Sequence, residues 1–552
     1  MSTIKDKILF IVPPNINYDD FVNPPDNVKR VSKKSGNFGA VVTDIPLGVL
    51  SLSAYVKKFT ATQTRLVDFN VVLNKLGSFE FRSFEEFFRN FLSAPRWVNY
   101  APSIIGISAL FTPAYQNMLD IAKCSRDIFP DAIIIIGGGV PTNMYNEIFR
   151  EGTFFDALCY GEGEKPLLGF VKADDKLRYI EESPSWITQK KVENGQSFQH
   201  DFIENLDEIP FYDFDILEID DYRLNPTIEA YLVIAKEKQD FSIPVMTSRG
   251  CPFRCCFCSS STVHGRKMRY HSINRVREDF KRLREQYGAK TIIFQDDQLM
   301  ANKKRVFEII DILNEFQMTA FFPNSLALFA LDRKMLEALK SIGVNQLVLA
   351  IESGSDRVLK EIMHKPLKLS IVKRVANDCR ELGIYTDANL LIGLPGETKQ
   401  DIEEARSFLK TININWYRIN VATPLVGTEM LDICLKKNYI KGNYLDCNFK
   451  KAVVETEDFT AEYIQEMAYF LNLELNFIEN SDFRLGNYKM ALKGFENAIR
   501  AKNDHAIAYY YAAKCYEKLG NLEKAQQYLD TAKMNAKTPF WRKYVDMFNI
   551  PI

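Results

Sequence analysis

Residues 244–258 read Pro-Val-Met-Thr-Ser-Arg-Gly-Cys-Pro-Phe-Arg-Cys-Cys-Phe-Cys: an apolar, strand-like run leads directly into a C-x3-C-x2-C motif. Cys251, Cys255 and Cys258 have the spacing of thiolate ligands to a cubane iron–sulfur cluster. Because three thiolates bind three of the four irons, the fourth iron stays open to a substrate that chelates through an amine and a carboxylate. The stretch therefore predicts a catalytic 4Fe-4S cluster at the end of a strand.

A structural zinc site is the alternative interpretation of the same motif. It would need a fourth ligand from His264 or Cys256 and a closed tetrahedral geometry. The position after a strand favours a catalytic cluster, since the active sites of barrel enzymes lie at the ends of their strands. The basic segment that follows, residues 264–269, is expected to be a solvated loop, with approach to phosphate or carboxylate groups as the alternative, and it is assigned no role.

Strand-like runs recur after the motif with helical stretches between them. From residue 244 onward they lie at residues 245–248, 291–294, 320–322, 346–351, 388–392 and 417–421. One intervening helix opens with the capping-box pattern Thr398-Lys399-Gln400-Asp401. Six βα units predict a partial (β/α)6 barrel of the TIM type, whose active site lies at the carboxyl ends of its strands.

Short apolar runs also alternate with helical patterns nearer the N-terminus, at residues 8–12, 66–69, 104–108, 132–136 and 157–160. This alternation predicts an α/β domain with a doubly wound parallel sheet. Ligands of such sheets bind beyond the carboxyl ends of the strands, where glycine lets the backbone come close. Glycine, proline and serine occur at the predicted strand ends here, in Pro46-Leu47-Gly48, Ser108, Gly137-Gly138-Gly139 and Gly161-Glu162-Gly163-Glu164.

The rest of the chain divides into a connector and a repeat. Residues 172 to about 240 are rich in charge and poor in periodicity, and are interpreted as a plain connector. Near the C-terminus, Leu485-Gly486-Asn487 recurs as Leu519-Gly520-Asn521, a shift of 34 residues that is typical of tetratricopeptide repeats. Two such repeats are expected to cap the barrel; binding of a peptide or protein partner is the alternative.

Composition narrows the class of protein. The chain has 552 residues, 46% of them hydrophobic, which is enough for two or three domains. Its 70 basic and 71 acidic residues nearly cancel, so nucleic acid is not an expected partner. We expect a cytoplasmic protein, because no signal-peptide pattern or membrane-spanning apolar run is found. The remaining cysteines are expected to pack as small hydrophobes: Cys124, Cys159, Cys256, Cys379, Cys434, Cys447 and Cys515.

With these motifs the sequence resembles radical S-adenosylmethionine (radical SAM) enzymes across about residues 240–430. Similar blocks follow the cysteines at Asp296-Asp297, at residues 351–356, in Gly393-Leu394-Pro395-Gly396-Glu397-Thr398 and at residues 424–428. The resemblance implies that S-adenosylmethionine binds at Phe257, Asp296, Asp297, Glu352, Ser353 and Gly393. The two aspartates would accept hydrogen bonds from its amino group, and Glu352 would hold its ribose hydroxyls.

Structural roles remain open for three of these positions. Asp297 and Glu352 also suit the N-cap of a following helix, and Gly393 also suits a simple turn.

The N-terminal domain resembles the cobalamin-binding domain that precedes the barrel in class B radical SAM methyltransferases. The resemblance is carried by residues 46–52, 67–70, 137–141 and 160–164. It implies cobalamin contacts from Pro46, Leu47, Gly48, Ser108, Leu110, Gly137, Gly138, Gly139, Val140, Gly161 and Glu162. The alternative is a domain that binds another nucleotide or nothing, although its glycines do not form the dinucleotide pattern G-x-G-x-x-G.

One departure from many cobalamin proteins concerns the ligand to cobalt. They present a histidine in a D-x-H-x-x-G motif, whereas the first 199 residues here contain no histidine. The resemblance therefore implies a cobalamin with no lower axial histidine from the N-terminal domain. Weak axial donation favours transfer of the methyl group as a radical.

The predicted organisation is a cobalamin-binding domain at 1–172, a connector at 173–240, a radical SAM barrel at 241–432 and a helical region at 433–552, with repeats at about 471–535. The predicted function is methylation of an unactivated carbon through a 5'-deoxyadenosyl radical and methylcobalamin. Rearrangement, ring contraction or cyclisation is the first alternative, and a cofactor-sensing scaffold is the second. The expected partners are a small-molecule or peptide substrate, an electron donor such as flavodoxin or ferredoxin, and a protein at the repeats.

Overall fold

The computed structural model of the chain describes residues 6–24, 29–152, 154–227, 241–442, 444 and 451–552. The chain forms two compact units. The first comprises residues 1–229, 243–252 and 259–279, and the second comprises residues 230–242, 253–258 and 280–552. No helix within the described ranges is both long and apolar enough to cross a membrane.

A mainly parallel sheet forms the centre of the first unit. The strands up to residue 187 are β1 (Lys7–Val12), β2 (Arg30–Lys33), β3 (Gly36–Gly39), β4 (Gln63–Asp68), β5 (Ile104–Ser108), β6 (Ile133–Gly137), β7 (Ala157–Cys159) and β8 (Trp186–Ile187). The sheet order is β4-β1-β5-β6-β7-β8, with all but β8 parallel, while β2 and β3 form a separate hairpin. The predicted parallel α/β fold is confirmed.

The helices of this region cross between the strands. They are α1 (Tyr18–Val22), α2 (Leu47–Phe59), α3 (Phe69–Lys75), α4 (Phe84–Leu92), α5 (Pro95–Val98), α6 (Tyr115–Ile128), α7 (Gly139–Glu151), α8 (Glu164–Lys172), α9 (Lys176–Glu182) and α10 (Gln189–Glu193). The strands are apolar on both faces; Ile8, Leu9, Ile104 and Ile105 are all 0% exposed. The strand order reverses at β1: β4 is added on one side of it, and β5, β6 and β7 are added on the other. In such a sheet the ligand crevice therefore lies between β1 and β5.

The segment predicted as a plain connector is more ordered than its sequence indicates. It supplies α9, α10 and the edge strand β8. Its buried Lys191 ammonium donates to the carbonyls of Ile180, Ser183 and Trp186 at 2.7, 2.7 and 2.9 Å. A charged stretch of sequence thus forms an ordered, buried contact. The predicted domain boundaries themselves stay predictions. Residues 228–240 of the connector lie outside the described residues.

The strands after residue 241 agree with the predicted βα units, with one shift. They are β9 (Ser242–Val245), β10 (Ser248–Arg249), β11 (Arg269–Tyr270), β12 (Thr291–Phe294), β13 (Thr319–Phe321), β14 (Gln346–Glu352), β15 (Tyr385–Ile392) and β16 (Trp416–Val421). β12 pairs in parallel with β13, and β14, β15 and β16 also pair in parallel. An isolated parallel bridge joins Leu326 to Leu349 of β14. The first strand ends at Val245, the first residue of the predicted run at 245–248, whereas Ser248 belongs to β10, which pairs with β11 in an antiparallel ladder.

Helices separate these strands and close the chain. Those up to residue 437 are α11 (Ser260–His264), α12 (Ile273–Tyr287), α13 (Lys303–Glu315), α14 (Arg333–Ser341), α15 (Leu369–Glu381), α16 (Lys399–Leu409) and α17 (Glu429–Lys437). The C-terminal helices are α18 (Ala461–Leu473), α19 (Ser481–Arg484), α20 (Tyr488–Ala501), α21 (Ala506–Lys518), α22 (Leu522–Asn535) and α23 (Pro539–Met547). The predicted capping box at Thr398 and Asp401 is present, and the predicted helical repeat region is confirmed.

Candidate active site

The cysteine motif begins two residues after Arg249, the last residue of β10. The Cys251 N–H donates to the Gly265 carbonyl at 3.2 Å, and the Cys258 N–H donates to the Cys255 carbonyl at 3.1 Å. Cys251 and Cys255 are half-buried and Cys258 is exposed. All three predicted cluster ligands therefore lie where solvent or a cofactor reaches them.

Cys256, in the same loop, is in a different environment. Its side chain is 4% exposed and packs in an apolar core with Val358 and Leu394. Its N–H donates to the Met363 carbonyl at 3.1 Å and its carbonyl accepts from the Met430 N–H at 2.9 Å. Burial raises the pKa of the Cys256 thiol to about 12, so this cysteine stays protonated and packed.

The donor set fits a cubane cluster better than a zinc ion. In the parts of the chain that the structure describes, no three His, Cys, Asp or Glu side chains converge on a single ion. The zinc alternative loses Cys256 as its fourth ligand, because that thiol is buried in an apolar core. The cysteines predicted to be packed are buried where described (Cys124, Cys159, Cys379, Cys434 and Cys515), and Cys447 lies outside the described residues.

Glu352 has the most unusual backbone among the predicted S-adenosylmethionine contacts. It ends β14 at φ +66°, a left-handed conformation that costs a non-glycine residue about 1–3 kcal/mol. The ladder with β15 shifts register between Ala350 and Glu352, as at a β-bulge, a feature that redirects side chains next to active sites. Its carboxylate lies 3.6 Å from the Lys365 ammonium. Burial raises the pKa of Glu352, which Lys365 opposes.

The N-cap alternative fails for both acidic positions. Asp296 and Asp297 follow β12; Asp296 is 4% exposed and Asp297 is half-buried. The next helical turn is preceded by Gln298 and the next helix is capped by Asn302, so Asp297 caps neither. After Glu352, the following helical turn is preceded by Arg357. The acidic side chains at both strand ends therefore cap no helix.

The remaining predicted contacts lie in tight turns of the second unit. Ser353 is 3% exposed and its hydroxyl accepts from the Ser355 N–H at 3.1 Å. Gly393 follows β15 at φ +87°, and its N–H donates to the Glu397 carboxylate at 2.6 Å. Phe257 packs partly buried against the core that contains Leu394. The turn role foreseen for Gly393 is present, and Glu397, which the sequence did not single out, organises it.

The predicted cobalamin contacts gather at one edge of the first sheet. They lie at the start of α2, at the carboxyl ends of β5, β6 and β7, and at the start of α7. Gly138 has φ +113°, and a Cβ there would lie 2.3 Å from the Ala109 carbonyl oxygen, so only glycine lets these loops approach. Leu110, beside them, is 59% exposed. A crevice with close backbone and exposed apolar side chains fits a large, flat ring.

The side chain of Glu162, one of the predicted cobalamin residues, forms ion pairs within the protein. Its carboxylate forms ion pairs with Arg249 and Arg269, and Arg269 is 3% exposed. The expectation that residues 264–269 form a solvated loop is therefore wrong at Arg269. No sequence pattern identified Glu162 as the partner of Arg269, because residues 162 and 269 are far apart along the chain.

His200 was missed for a similar reason. It stands just beyond the stretch without histidine and packs against Gly161, where its Nδ1 is buried without a hydrogen-bond partner. Its ring stacks between Tyr160 and Phe202, with centroid distances of 4.6 and 4.7 Å. Burial lowers the pKa of His200. An imidazole thus does lie beside the predicted cobalamin loop, supplied by the segment predicted as a connector.

Comparison with known proteins agrees with the order of these features. A family model for the B12 binding domain matches residues 92–171, one for the radical SAM superfamily matches residues 245–409, and one for a tetratricopeptide repeat matches residues 483–541. Together they follow one another as in an enzyme that combines cobalamin with radical SAM chemistry.

Individual relatives share most of the chain. An uncharacterized methyltransferase of Pyrococcus horikoshii is 30% identical over 376 residues, which cover 67% of this chain and 77% of that protein. The anaerobic magnesium-protoporphyrin IX monomethyl ester cyclase of Rubrivivax gelatinosus is 26% identical over 57% of this chain and 56% of its own length. The solved structure of the cobalamin-dependent S-adenosylmethionine radical enzyme OxsB has the same fold, with a TM-score of 0.60 at 14% identity, over 99% of this chain and 80% of that one.

A B12-binding domain followed by a radical SAM barrel defines a class of enzymes. This chain belongs to that class, the cobalamin-dependent radical SAM family. Its cofactors are a 4Fe-4S cluster, S-adenosylmethionine and cobalamin.

Proposed function

We propose that this enzyme methylates an unactivated carbon of its substrate. The observation that carries the proposal is the accessibility of Cys251, Cys255 and Cys258, in contrast to the buried Cys256, in a chain that also has a B12-binding domain. An iron without a protein ligand is the feature that distinguishes a catalytic cluster from one that only stores electrons.

The chain's own residues hold and orient the cofactors. When bound, the cluster and S-adenosylmethionine supply the radical that removes a hydrogen atom from the substrate, and cobalamin supplies the methyl group. The three accessible cysteines would hold the cluster. Glu352, fixed by its bulge and by Lys365, would accept hydrogen bonds from ribose hydroxyls, and Asp296 and Asp297 would accept them from the amino group.

Cyclisation or another rearrangement is the second candidate. It is favoured by the similarity to a cyclase of Rubrivivax gelatinosus, which is 26% identical over 57% of this chain. Both reactions need the same cofactors, so the products distinguish them.

The test uses anaerobically reconstituted enzyme, methyl-labelled S-adenosylmethionine and a metabolite extract from a strain that lacks the gene. We expect label in one metabolite, together with 5'-deoxyadenosine. An unlabelled product of altered skeleton would establish the second candidate instead. The absence of both label transfer and 5'-deoxyadenosine would contradict both candidate functions.

Partners and location complete the proposal. Reduction of the cluster requires a low-potential donor such as flavodoxin or ferredoxin, which suits the cytoplasmic location expected from the sequence. The repeats at 483–541 suit a peptide substrate or a protein partner.

A further inference from the structure

Four charged side chains form a buried cluster in the first unit: Glu162, Glu164, Arg249 and Arg269 are 5%, 4%, 9% and 3% exposed. Arg249 donates to Glu164 at 2.6 Å and lies 3.0 Å from Glu162. Arg269 donates to Glu162 through two nitrogens, at 2.5 and 2.9 Å. Two positive and two negative groups balance, so the cluster is neutral as a whole.

The two arginines face each other across a strand pair. In the β10–β11 ladder Arg249 is the direct partner of Arg269. Like charges in this position destabilise a ladder. Here the Glu162 carboxylate bonds to both guanidinium groups, so it converts a repulsive pair into a bridge. The pairing of β10 with β11 at this register therefore depends on a residue of the β7–α8 loop.

The strand pair fixes the start of the cysteine loop. Cys251 comes two residues after Arg249, and its N–H donates to Gly265. Gly250, between them, has φ +96°, and a Cβ there would lie 2.4 Å from the Lys267 carbonyl oxygen. The backbone from Arg249 to Cys251 is thus held against residues 265–269.

We propose that Glu162 and Glu164 are positioning residues for the cluster ligand Cys251, and that Glu162 does not bind cobalamin through its side chain. Both carboxylate oxygens of Glu162 already accept from guanidinium groups. Glu164 extends the network to helix α2, where the Ser51 hydroxyl donates to it at 2.6 Å. The inference rests on the proposed function, since it assumes that Cys251 ligates the cluster.

Energetics also favours a positioning role. Buried ion pairs add little net stability compared with apolar packing, but removal of one partner leaves an uncompensated buried charge. A neutral cluster of four charges therefore specifies one arrangement strongly, and a ligand to an open iron needs such fixed placement.

The test is Glu162→Gln in the full-length, reconstituted protein. We expect cobalamin affinity within about twofold of wild type, but a reduced-cluster EPR signal that is heterogeneous and responds weakly to added S-adenosylmethionine. Formation of 5'-deoxyadenosine should fall about 10- to 100-fold, the effect of a ligand displaced by about 1 Å. Glu204→Gln is the matched control, because it removes an exposed ion pair to Lys267 of the same loop; it should match wild type.

Loss of cobalamin affinity with an unchanged EPR signal in Glu162→Gln would overturn the proposal. If that variant does not fold, Glu162→Asp keeps the charge and withdraws the carboxylate by one methylene; an unaltered EPR signal there would contradict it equally. A wild-type enzyme that binds the cluster but transfers no methyl group would count only against the proposed function, because the EPR comparison does not depend on methylation.

Discussion

Burial divides the cysteines of this chain into two chemical groups. The packed thiols have raised pKa values, about 11 for Cys124 and about 12 for Cys159, Cys379 and Cys515, all because of burial. Such thiols are poor ligands, since metals bind thiolates. Within the motif, Cys256 belongs to this group, whereas Cys255 is its accessible neighbour.

This contrast predicts opposite results for two adjacent substitutions. Cys255→Ala should lower the iron content of reconstituted protein from about four atoms per chain to a small residual amount. Cys256→Ala should keep the iron, and cost only about 1 kcal/mol of stability, because it removes one small buried side chain. Iron assay and the absorbance of the cluster measure both. Equal iron in the two variants would contradict the assignment.

At the scale of elements, one carboxylate holds the turn between β15 and α16. Glu397 is 1% exposed, and it accepts from the N–H groups of Gly393 and Leu394 at 2.6 and 3.2 Å. Its other oxygen has no hydrogen-bond partner. Burial raises the pKa of Glu397 to about 7, which outweighs the two backbone donors.

The raised pKa predicts how stability depends on pH. A carboxyl whose pKa is higher in the folded chain contributes stability that is complete below its unfolded pKa, about 4.3, and is lost as pH rises through about 7. As pH rises from 5 to 8, the free energy of unfolding should therefore fall by about 1–3 kcal/mol less in Glu397→Gln than in wild type. Calorimetric Tm values across this range test it, with the exposed Glu403→Gln as control; parallel curves for wild type and Glu397→Gln would refute the role of this carboxyl.

Elements and their sites were predictable to different degrees. The strands after residue 290 agree with apolar runs in the sequence, because buried parallel strands need continuous apolar side chains. The bulge at Glu352 was not predictable, since register is set by pairing with β15. Nor was the order of the connector, whose Lys191 is satisfied by carbonyls that only folding brings near.

At the scale of the whole molecule, the C-terminal helices belong to the second compact unit and cover β16. The Asn476 side chain exchanges two hydrogen bonds with the Tyr417 backbone, at 2.7 and 2.8 Å, as a neighbouring strand would. Asp482, 1% exposed, accepts from Arg380 at 2.9 Å and from Asn415 at 2.8 Å. These contacts attach the helical region to the barrel immediately before the repeats at 483–541, which supports capping of the barrel as their use.

Capping predicts that a substitution in the tail destabilises the barrel. Asp482→Asn leaves the Arg380 charge without its buried partner, which should lower the free energy of unfolding by about 2–4 kcal/mol. Asp546→Asn, which breaks an exposed pair with Arg542, is the control and should change little. Urea unfolding followed by tryptophan fluorescence compares them. Similar midpoints for both variants would argue for a tail that only recruits partners.

The cofactor chemistry and the order of the folds follow from the amino-acid sequence alone. Both depend on local patterns: the spacing of Cys251, Cys255 and Cys258, and apolar runs of strand length. The tertiary structure decided what each charged or polar residue does. Glu162 resembles a cobalamin contact in the sequence, yet it bridges Arg249 and Arg269, because the partner of a buried charge is chosen by position in space and not by distance along the chain.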